Sequence, residues 1–384
     1  MKIGVDIRVL MDKNYSGISE YTANLLSEIL KQDRENKYKL FYNSSKGHEA
    51  RLDYWAKDNS KLFATSYPNK IFNYFLQRIC SRPKLDKILG GTDIFFAPHF
   101  NFLNVSHKTK LIVTVHDLSF LRYPEFFSKR KNFWHKALRI KKLLNRADRI
   151  VAVSENTKHD LMELLSIPAE KIKVIYSGNN CQEIITPQEK ITDFLEKKNL
   201  KNGFILSVGN IEPRKNISGL ISAYNKLRNK YPEIKNQLVL AGAKGWKYKK
   251  VFSDWAKSPY KEDIKFLGYI SIQEKEMLYS SAAVFVYPSF YEGFGFPPLE
   301  AMVFGLPVVS SNVSSLPEVL GKAALLINPF KPEDIAEAIK LILTDANIRT
   351  DLIEAGKVRA AMFTWEKASQ EYLKLFSEIN EENK

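Results

Sequence analysis

Short apolar segments alternate with amphipathic segments along most of the chain. In the first 180 residues the apolar segments are MKIGVDIRVL, KLFYNSS, DIFFAPH, KLIVTVHD and RIVAVS. After residue 200 the alternation restarts with GFILSVGN, QLVLAG, IKFLGYI, AAVFVYPS, PVVSS and ALLINP. Between them, stretches such as EYTANLLSEILKQ carry apolar residues at helical spacing. Continuous apolar strands that alternate with helices are typical of parallel sheets covered on both faces, so the pattern predicts two Rossmann-like α/β/α domains.

The polar stretch SGNNCQEIITPQEK at 177–190 is the predicted linker between the two domains. It divides the chain into a first domain over 1–184 and a second over 185–364. Two such domains are expected to face each other across a cleft at the carboxyl ends of their sheets, where this class of fold binds ligands.

Composition places the chain among globular proteins of ordinary make-up. It has 384 residues, of which 45% are hydrophobic and 26% are charged. Its N-terminus, MKIGVDIRVLMD, has acids within the apolar run and is predicted to be a strand rather than a signal peptide. The two cysteines, Cys80 and Cys181, have no metal-binding spacing and favour a reducing compartment such as the cytoplasm.

The positive charge is concentrated in one half of the chain. Residues 1–180 carry 31 Lys and Arg against 18 Asp and Glu, and residues 181–384 carry 27 against 25. The first half is therefore predicted to meet an anionic partner.

Two motifs after residue 200 carry the candidate chemistry. In FILSVGNIEPRKNIS, Arg214 and Lys215 precede a predicted helix, whose free N–H groups favour an anion such as a diphosphate. In SFYEGFGFPPLEAM, Glu292 and Glu300 flank a turn with two glycines and two prolines. Pro297 and Pro298 are predicted in the first turn of a helix, and the carboxylates can accept hydrogen bonds from paired hydroxyls. Taken singly, each motif also fits ordinary solvated cations or helix-end acids.

Together these motifs resemble the retaining glycosyltransferases of family 4, which have the GT-B fold and use nucleotide-sugar donors. The family signature of two glutamates separated by seven residues is matched by Glu292-GFGFPPL-Glu300 and continues as EAMVFGLPVVSS. The strand-and-turn SVGNIEPRKN and the strand end TVHDLS also match. The resemblance covers nearly the whole chain, and its last segment, FTWEKASQEYLKLFSEI, is similar to a family helix that returns to the first domain. Residues 365–384 are therefore assigned to the first domain.

The resemblance implies roles for particular residues. Arg214 and Lys215 would hold the donor diphosphate, Glu292 would bind hydroxyls of the transferred sugar, and Glu300 would bind the ribose diol. His116 would face the sugar near the reacting carbon, so the implied catalytic set is His116, Arg214, Lys215 and Glu292. The family's usual Gly-Gly loop reads Tyr15-Ser16-Gly17-Ile18-Ser19 here, and only Gly17 fits the phosphate approach. The full donor-binding set is Gly17, Arg214, Lys215, Tyr269, Glu292, Gly293, Phe294, Gly295, Phe296 and Glu300.

The implied mechanism is front-face substitution, in which the leaving diphosphate helps to remove the acceptor's proton. Both acids belong to the donor half, so they are interpreted as binding groups and not as the nucleophile and acid of a retaining glycosidase. No Asp-x-Asp motif occupies a matching position. Arg214, Lys215 and a helix N-terminus would supply the positive charge, so no metal or other cofactor is expected.

The acceptor side is predicted from the basic segment SKRKNFWHKALRIKKLLNRADR at 128–149, which holds nine cations against one acid, Asp148. Read as one amphipathic helix with Phe133, Trp134, Ala137, Leu138 and Leu144 on one side, it suits an anionic membrane surface. The segment KIFNYFLQRICSRPK at 70–84 adds aromatic residues among further cations. A plain amphipathic helix with a solvated basic face remains an alternative. The predicted acceptor and membrane contacts are Lys129, Arg130, Lys131, Trp134, Lys141 and Lys142.

These inferences predict a cytoplasmic enzyme peripheral to the inner face of the plasma membrane. It would transfer a hexose to a growing, lipid-linked surface polysaccharide such as O-antigen or capsule. The wording HDLSFLRYPEFFS looks most similar to family members that use GDP-mannose, with base-reading residues near Phe266–Tyr269 and Lys244. A UDP-hexose or UDP-N-acetylhexosamine donor remains open, as does a nucleotide-sugar epimerase with the same fold.

Two other classes fit the sequence less well. A nucleic-acid-binding protein would explain the basic charge, but no recognisable nucleic-acid-binding motif is present in 1–180. A nicotinamide oxidoreductase would need a G-x-G-x-x-G turn, which follows neither MKIGVDIRVL nor FILSV.

Overall fold

A computed structural model describes residues 1–11, 17–44, 50–68, 72–73, 76, 83–179 and 186–382. They form two compact units. The first unit comprises Met1–Leu118, Arg130–Asn180 and Phe363–Lys384, and the second comprises Ser119–Lys129 and Cys181–Met362. Each unit is built on its own parallel sheet.

The first sheet has seven strands in the order β3-β2-β1-β4-β5-β6-β7, with every neighbouring pair parallel. The central strands are buried almost completely because helices cover both faces, and this explains their continuous apolar sequences. The strands are β1 (Lys2–Asp6), β2 (Lys37–Asn43), β3 (Ser60–Thr65), β4 (Ile94–Ala97), β5 (Lys110–Val115), β6 (Arg149–Ala152) and β7 (Ile172–Val174).

The second sheet has six parallel strands in the order β10-β9-β8-β11-β12-β13. The strand order reverses between β1 and β4 in the first sheet and between β8 and β11 in the second. Folds of this class bind ligands at such a switch point. The strands are β8 (Phe204–Val208), β9 (Leu238–Ala241), β10 (Ile264–Gly268), β11 (Ala282–Tyr287), β12 (Val308–Ser311) and β13 (Ala324–Ile327).

Most of the α-helices connect successive strands, and the last three follow β13. Those of the first unit are α1 (Gly17–Gln32), α2 (Leu85–Ile88), α4 (Lys129–Ala137), α5 (Ile140–Arg146), α6 (Glu155–Leu165) and α15 (Trp365–Glu381), with Lys129 itself grouped in the second unit. Those of the second unit are α3 (Ser119–Arg122), α7 (Gln188–Lys197), α8 (Ile217–Lys230), α9 (Lys249–Ala256), α10 (Ile272–Ser281), α11 (Phe296–Val303), α12 (Leu316–Leu320), α13 (Pro332–Thr344) and α14 (Ala346–Ala361).

The predicted fold class is confirmed, and each apolar segment named from the sequence contains a strand. The sequence pattern missed β3 and β7. Strand β3 lies at the edge of its sheet and has only one buried residue, and β7 has only three residues. Both are too short or too weakly apolar to stand out from their surroundings.

The C-terminal helix belongs to the first unit, as its similarity to the family helix implied. Tyr372 of α15 shares a 2.7 Å hydrogen bond with Tyr21 of α1 and another 2.7 Å bond with Thr114 of β5. The entry to α15 packs tightly, because a Cβ at Gly178 would lie 2.3 Å from the backbone nitrogen of Trp365. Helix α15 is thus bonded to both α1 and the first sheet.

The short segment Ser119–Lys129 groups with the second unit although it lies within the first half of the sequence. The indole Nε1 of Trp246 donates a 2.6 Å hydrogen bond to the carbonyl of Phe126, and the ring of Phe127 stacks on Trp246 at 5.5 Å. The domain bounds predicted from the sequence, 1–184 with 365–384 and 185–364, stay a prediction and differ from the units in this segment. The predicted linker at 177–190 includes residues 180–185, which lie outside the described residues.

Among the described residues, no helix is long and apolar enough to cross a lipid bilayer.

Candidate active site

The turn between β8 and α8 brings Arg214 and Lys215 to the carboxyl end of the second sheet. After β8 the chain forms a short 3-10 helix, Pro213–Lys215, and Asn216 then adopts a left-handed conformation with φ of 54° before α8 begins. The Asn216 side chain donates to the carbonyl of Pro329 at 2.7 Å, so it does not cap α8. Uncapped N–H groups at a helix N-terminus favour an anion, as predicted for this turn.

Arg214 and Lys215 both contact Glu292, which lies in the loop after β11. Arg214 Nη1 donates to Glu292 Oε2 at 2.6 Å, and Lys215 Nζ donates to Glu292 Oε1 at 2.7 Å. Arg214 also donates to Glu212 Oε1 from Nη2 at 3.0 Å and to the carbonyl of Tyr291 at 2.9 Å. All of these side chains are at most 15% exposed, so the sequence motifs around 214 and 292 form one buried ionic cluster.

The pKa shifts in this cluster follow from burial and charge pairing. Burial alone would raise the pKa of Glu292, but the positive charges of Arg214 and Lys215 overcome it and lower that pKa to about 2. Burial lowers the pKa of Lys215, and the charge of Glu292 opposes that effect. The phenol of Tyr287 accepts a hydrogen bond from Lys215, and burial together with Glu292 raises its pKa well above the usual value. Glu292 is therefore ionised and Tyr287 neutral at physiological pH.

Glu300 lies one helical turn inside α11 and is 2% exposed. Its Oε1 accepts a 2.9 Å hydrogen bond from Lys275 Nζ, and its Oε2 accepts a 2.9 Å bond from the phenol of Tyr279. Each carboxylate oxygen keeps a further lone-pair direction for a ligand hydroxyl. The second glutamate of the sequence motif is thus buried, paired and oriented by α10.

The glycine-punctuated turn between the two glutamates has the predicted form. Gly295 has φ of 95° and stands immediately before α11, and Pro297 and Pro298 lie in the first turn of that helix. A Cβ at Gly295 would lie 2.7 Å from Leu316 Cδ2. Ser315 Oγ donates to the carbonyls of Glu292 and Phe294 at 3.0 and 3.2 Å, which ties the turn to α12. Gly293 and Phe294 are buried, and Phe296 is half-buried.

Other predicted donor residues lie at the edge of β9 and β10. Tyr269 follows β10 and is 67% exposed. The Lys244 ammonium lies 4.9 Å from the ring centroid of Phe252, which stacks on Phe266 at 4.7 Å. The structure therefore groups Lys244 and Phe266 through Phe252, and Lys244, Phe266 and Tyr269 all stay predictions as base contacts.

His116 and Gly17 lie in the first unit. His116 follows β5 directly, its Nε2 contacts the carbonyl of Pro98 at 2.8 Å, and the Tyr21 ring meets its ring edge-on at 4.5 Å. Burial lowers the pKa of His116, so the ring is neutral and donates from Nε2. Gly17 begins α1, and a Cβ there would meet nothing within 4 Å. Packing within this unit would therefore tolerate a larger residue at position 17. Tyr15 and Ser16 lie outside the described residues.

The sequence did not predict a group of polar residues in the first unit, Asp6, Arg8 and His99, of which His99 lies beside His116. Arg8 Nη2 donates to Asp6 Oδ2 at 2.6 Å, and the ring of His99 lies 6.1 Å from that of His116. Burial is the main cause that lowers the pKa of His99 to about 3, and the positive charge of Arg8 adds to it. These residues lie at or just after the carboxyl ends of β1, β4 and β5. Ligands bind at the carboxyl ends of parallel strands, so this rule could have identified them from the sequence.

The prediction of one basic amphipathic helix over 128–149 is wrong. The segment forms two helices, α4 and α5, separated at Arg139, whose backbone is left-handed with φ of 48°. The break changes the helical phase, so Leu138, Ile140 and Leu144 are buried while α4 has no buried residue. Lys129, Arg130, Lys131, Trp134, Lys141 and Lys142 are all exposed. Most of the other basic segment, 70–84, lies outside the described residues.

Three further residues of the second unit were also missed: Glu212, Lys275 and Tyr287. Glu212 is close to Arg214 in the sequence, and Tyr287 is the last residue of an apolar strand. Their positions at the carboxyl ends of strands were the only sequence signal for either residue. Lys275 lies within the ordinary polar helix SIQEKEM and carried no signal.

One group of described side chains has donor atoms close enough to hold a metal ion. It consists of His159, Asp160 and Glu163 on α6 of the first unit, and their ligand atoms lie within 4.8 Å of one another. His159 and Glu163 already form an i,i+4 pair at 3.5 Å, a common arrangement on an exposed helix.

Two parallel-sheet Rossmann-like units, with paired cations and carboxylates at the switch point of the second, define a glycosyltransferase of the GT-B fold. Two family models match the chain: "Glycosyltransferase Family 4" over residues 15–183 and "Glycosyl transferases group 1" over residues 188–359. The chain belongs to glycosyltransferase family 4.

Curated relatives agree along most of the sequence. O-antigen chain mannosyltransferase B of Escherichia coli is 31% identical over 94% of this chain and 96% of its own length. O-antigen chain mannosyltransferase RfbU of Salmonella typhimurium is 32% identical over 60% of both chains. The serotype-specific mannosyltransferase WbdA of Escherichia coli is 30% identical over 71% of this chain but only 34% of its own length.

Solved structures share the fold at low sequence identity. HepE of Anabaena, in complex with UDP and glucose, has a TM-score of 0.73 at 19% identity and covers 98% of this chain and 100% of its own. Sucrose-phosphate synthase of Thermosynechococcus elongatus has a TM-score of 0.75 at 19% identity, with 99% of each chain covered.

Proposed function

We propose that this glycosyltransferase transfers mannose from GDP-mannose, with retention of configuration, to a growing lipid-linked surface polysaccharide. The observation that carries the proposal is the buried cluster in which Arg214 and Lys215 hold the carboxylate of Glu292 at the N-terminus of α8. This arrangement combines cationic groups for a diphosphate with an oriented carboxylate for sugar hydroxyls. The similarity to O-antigen chain mannosyltransferases of two bacteria supports mannose as the sugar and O-antigen as the kind of acceptor.

In the proposed reaction the acceptor hydroxyl attacks C1 of the sugar on the face that the diphosphate leaves. The bond between C1 and the diphosphate oxygen breaks, the bond to the acceptor oxygen forms, and the acceptor's proton moves to the leaving diphosphate. Arg214 and Lys215 stabilise the negative charge that develops there. Glu292 binds hydroxyls of the transferred sugar, Glu300 binds the ribose diol, and His116 contacts the sugar.

The same cations argue for transfer without a metal ion. Arg214, Lys215 and the uncapped N-terminus of α8 provide fixed positive charge of the kind that a divalent cation supplies in other nucleotide-sugar enzymes. The remaining donor-binding residues in the proposal are Gly17, Tyr269, Gly293, Phe294, Gly295 and Phe296.

The enzyme is further proposed to act in the cytoplasm, at the inner face of the plasma membrane. Support comes from the exposed basic residues Lys129, Arg130, Lys141 and Lys142, and from Trp134, which is 40% exposed. Cationic side chains interspersed with exposed aromatic rings favour an anionic bilayer surface.

Calorimetric titration with GDP and with UDP, each with and without EDTA, tests the donor assignment. We expect GDP to bind more tightly than UDP and EDTA to leave the affinity unchanged. Preference for UDP would keep the family and overturn GDP-mannose. Binding of GDP that EDTA abolishes would overturn metal independence.

Arg214→Ala is the matching variant for this titration. Loss of its charge-assisted hydrogen bonds is expected to weaken GDP binding roughly 10- to 100-fold. Arg214→Lys, which keeps the charge and loses the planar fork, is expected to retain part of the affinity. Normal GDP affinity in Arg214→Ala would remove Arg214 from the diphosphate site.

A further inference from the structure

A cavity of about 440 Å³ lies in the first unit between the loop at 101–107 and helix α5. Its volume is within the usual range of about 300–1,000 Å³ for small-molecule sites. The lining residues are Leu76, Asn101, Phe102, Leu103, Asn104, Val105, His107, Leu111, Leu138, Arg139, Lys142, Leu143 and Arg146. Seven of these are aliphatic or aromatic, three are permanently cationic, and none is acidic.

Two of the three cations have no acidic partner in the described part of the chain. Among the described residues, Arg139 and Lys142 make no ion pair, and both are exposed. Arg146 differs, since its Nη1 donates to Asp148 Oδ2 at 3.1 Å and its Nη2 donates to the carbonyl of Ser106 at 2.7 Å. Within the part of the chain that the structure describes, the cavity therefore presents two unpaired positive charges beside an apolar wall, which would attract an anionic group.

The backbone of Arg139 is held in an unfavourable conformation at the cavity. Arg139 has a left-handed backbone with φ of 48°, a conformation that costs about 1–2 kcal/mol for a residue with a Cβ. Such strain persists where the surrounding structure imposes it, and it is concentrated at binding sites. Here the break at Arg139 buries Leu138 and Ile140 on either side of it and leaves the Arg139 guanidinium at the cavity.

The cavity wall is continuous with the aromatic surface of α4. The ring of Trp134, 40% exposed, meets the ring of Phe102 edge-on at 6.2 Å, and Phe102 lines the cavity. Phe133 on the same helix is 75% exposed. Exposed Trp and Phe side chains beside cations are typical of surfaces that enter the interfacial region of a bilayer. A molecule held in this cavity would thus lie next to membrane lipid.

We propose that the cavity binds one anionic phospholipid molecule. Its phosphate would pair with Arg139 and Lys142, and the first part of an acyl chain would lie against Phe102, Leu138 and Leu143. A free phosphate would leave the apolar wall uncovered, and an uncharged lipid would leave the cations unpaired. The proposal rests on the proposed membrane association but not on the proposed donor.

The test is calorimetric titration with monomeric dihexanoyl-phosphatidylglycerol, kept below its micelle concentration so that no bilayer surface exists. Lys142→Glu is compared with Lys141→Glu, a matched control with the same charge change at the next residue, which is exposed but does not line the cavity. We expect Lys142→Glu to weaken binding at least tenfold and Lys141→Glu to change it less than twofold. Equal losses in the two variants would mean general surface attraction and would overturn the proposal.

A second pair of variants keeps the test valid if one variant of the first pair fails to fold. Arg139→Glu lies at the cavity and Lys136→Glu lies outside it, both on exposed positions of the same basic segment. The first is expected to lose lipid affinity and the second to keep it, with thermal unfolding as the check on folding.

Three soluble probes define the ligand. Glycerol 3-phosphate and dihexanoyl-phosphatidylcholine are each expected to bind at least tenfold more weakly than the phosphatidylglycerol, because the first lacks the chains and the second has no net charge. Equal binding of either would overturn the proposal. Tighter binding of farnesyl diphosphate would also overturn it, by identifying a prenyl carrier as the occupant. GDP titrated into the same samples separates the two proposals, because its failure to bind would count against the donor site alone.

Discussion

At the scale of single residues, Glu292 lies between the two cations assigned to the donor diphosphate. Arg214 and Lys215 carry two positive charges, while Glu212 and Glu292 carry two negative charges. The cluster is therefore neutral as a whole, and in the proposed donor complex a diphosphate would compete with Glu292 for its cations. Positive potential at the site comes from the N-terminus of α8 and from any displacement of the carboxylate. In the proposed site, Glu292 would thus both orient the cations and limit their attraction for the nucleotide.

Glu292→Gln separates these two effects. Removal of one negative charge leaves the cluster with a net charge of +1, which is worth roughly 1–2 kcal/mol toward a nearby diphosphate. GDP is therefore expected to bind about tenfold more tightly, while sugar transfer falls because the sugar hydroxyls lose a charged acceptor. Calorimetry and a transfer assay measure the two quantities. A parallel loss of GDP affinity and turnover would show that Glu292 supports the diphosphate site only structurally.

The stability of the protein is expected to depend on Glu292 at acidic pH. Its folded-state pKa of about 2 lies below the ordinary value of 4.5, so its contribution is fully present above about pH 4.5. That contribution, roughly 3 kcal/mol, is lost as the pH falls toward 2. Denaturant unfolding at pH 6 and pH 3.5 should show a smaller pH-dependent loss in Glu292→Gln than in the wild type. Identical losses would mean that the carboxylate is not held by the two cations.

The ribose assignment of Glu300 has a direct chemical test. Lys275 and Tyr279 orient its carboxylate, which leaves lone pairs for the two ribose hydroxyls. The wild type is expected to bind GDP about tenfold more tightly than 2′-deoxy-GDP, and Glu300→Gln should narrow that difference. If Glu300→Gln instead kept the discrimination and lost preference among donor sugars, the roles of Glu292 and Glu300 would be exchanged.

At the scale of elements, strands were easier to predict than the course of a helix. The buried strands can be recognised by continuous runs of Val, Ile, Leu and Phe, because helices cover both faces of each sheet. The helical periodicity over 128–149 correctly predicted helix, but it predicted one helix where the structure has two. Nothing in the sequence ALRIKK marks a break at Arg139, although the break is what allows Leu138 and Ile140 both to be buried.

Two glycines at helix starts should respond differently to alanine. Gly295 has a positive φ, and an added Cβ would lie 2.7 Å from Leu316, so Gly295→Ala is expected to lose about 1–2 kcal/mol of stability. Gly17 has open space around it at the start of α1, so Gly17→Ala should leave the free energy of unfolding within about 0.5 kcal/mol. If Gly17 gives a donor phosphate access to the backbone, the same variant should raise the KM for the donor. Unchanged KM would remove Gly17 from the donor site.

At the scale of the whole molecule, the sequence predicted only part of the candidate site. Arg214, Lys215, Glu292 and Glu300 could be found because their motifs are local and specific. Glu212, Tyr287 and Lys275 joined them only in three dimensions, where β8, α10 and β11 bring separate segments together. The Arg8 and His99 neighbours of His116 were missed for the same reason. Long-range neighbours of this kind leave no regular spacing along the chain.

The uneven charge of the molecule gives the last prediction. Because the excess positive charge lies in residues 1–180, binding to vesicles that contain phosphatidylglycerol should depend on that half of the protein. Sedimentation with such vesicles is expected to fall steeply between 0.05 and about 1 M salt, as the Debye length shrinks to about 3 Å, and to be absent with phosphatidylcholine alone.

Neutralising three exposed cations of α4 should remove most of the binding, and neutralising three exposed cations elsewhere should not. The first set is Lys129, Arg130 and Lys136, and the control set, with the same charge change, is Lys235, Lys249 and Lys322. Equal effects of the two sets would show that net charge, and not the basic surface of α4, attracts the membrane.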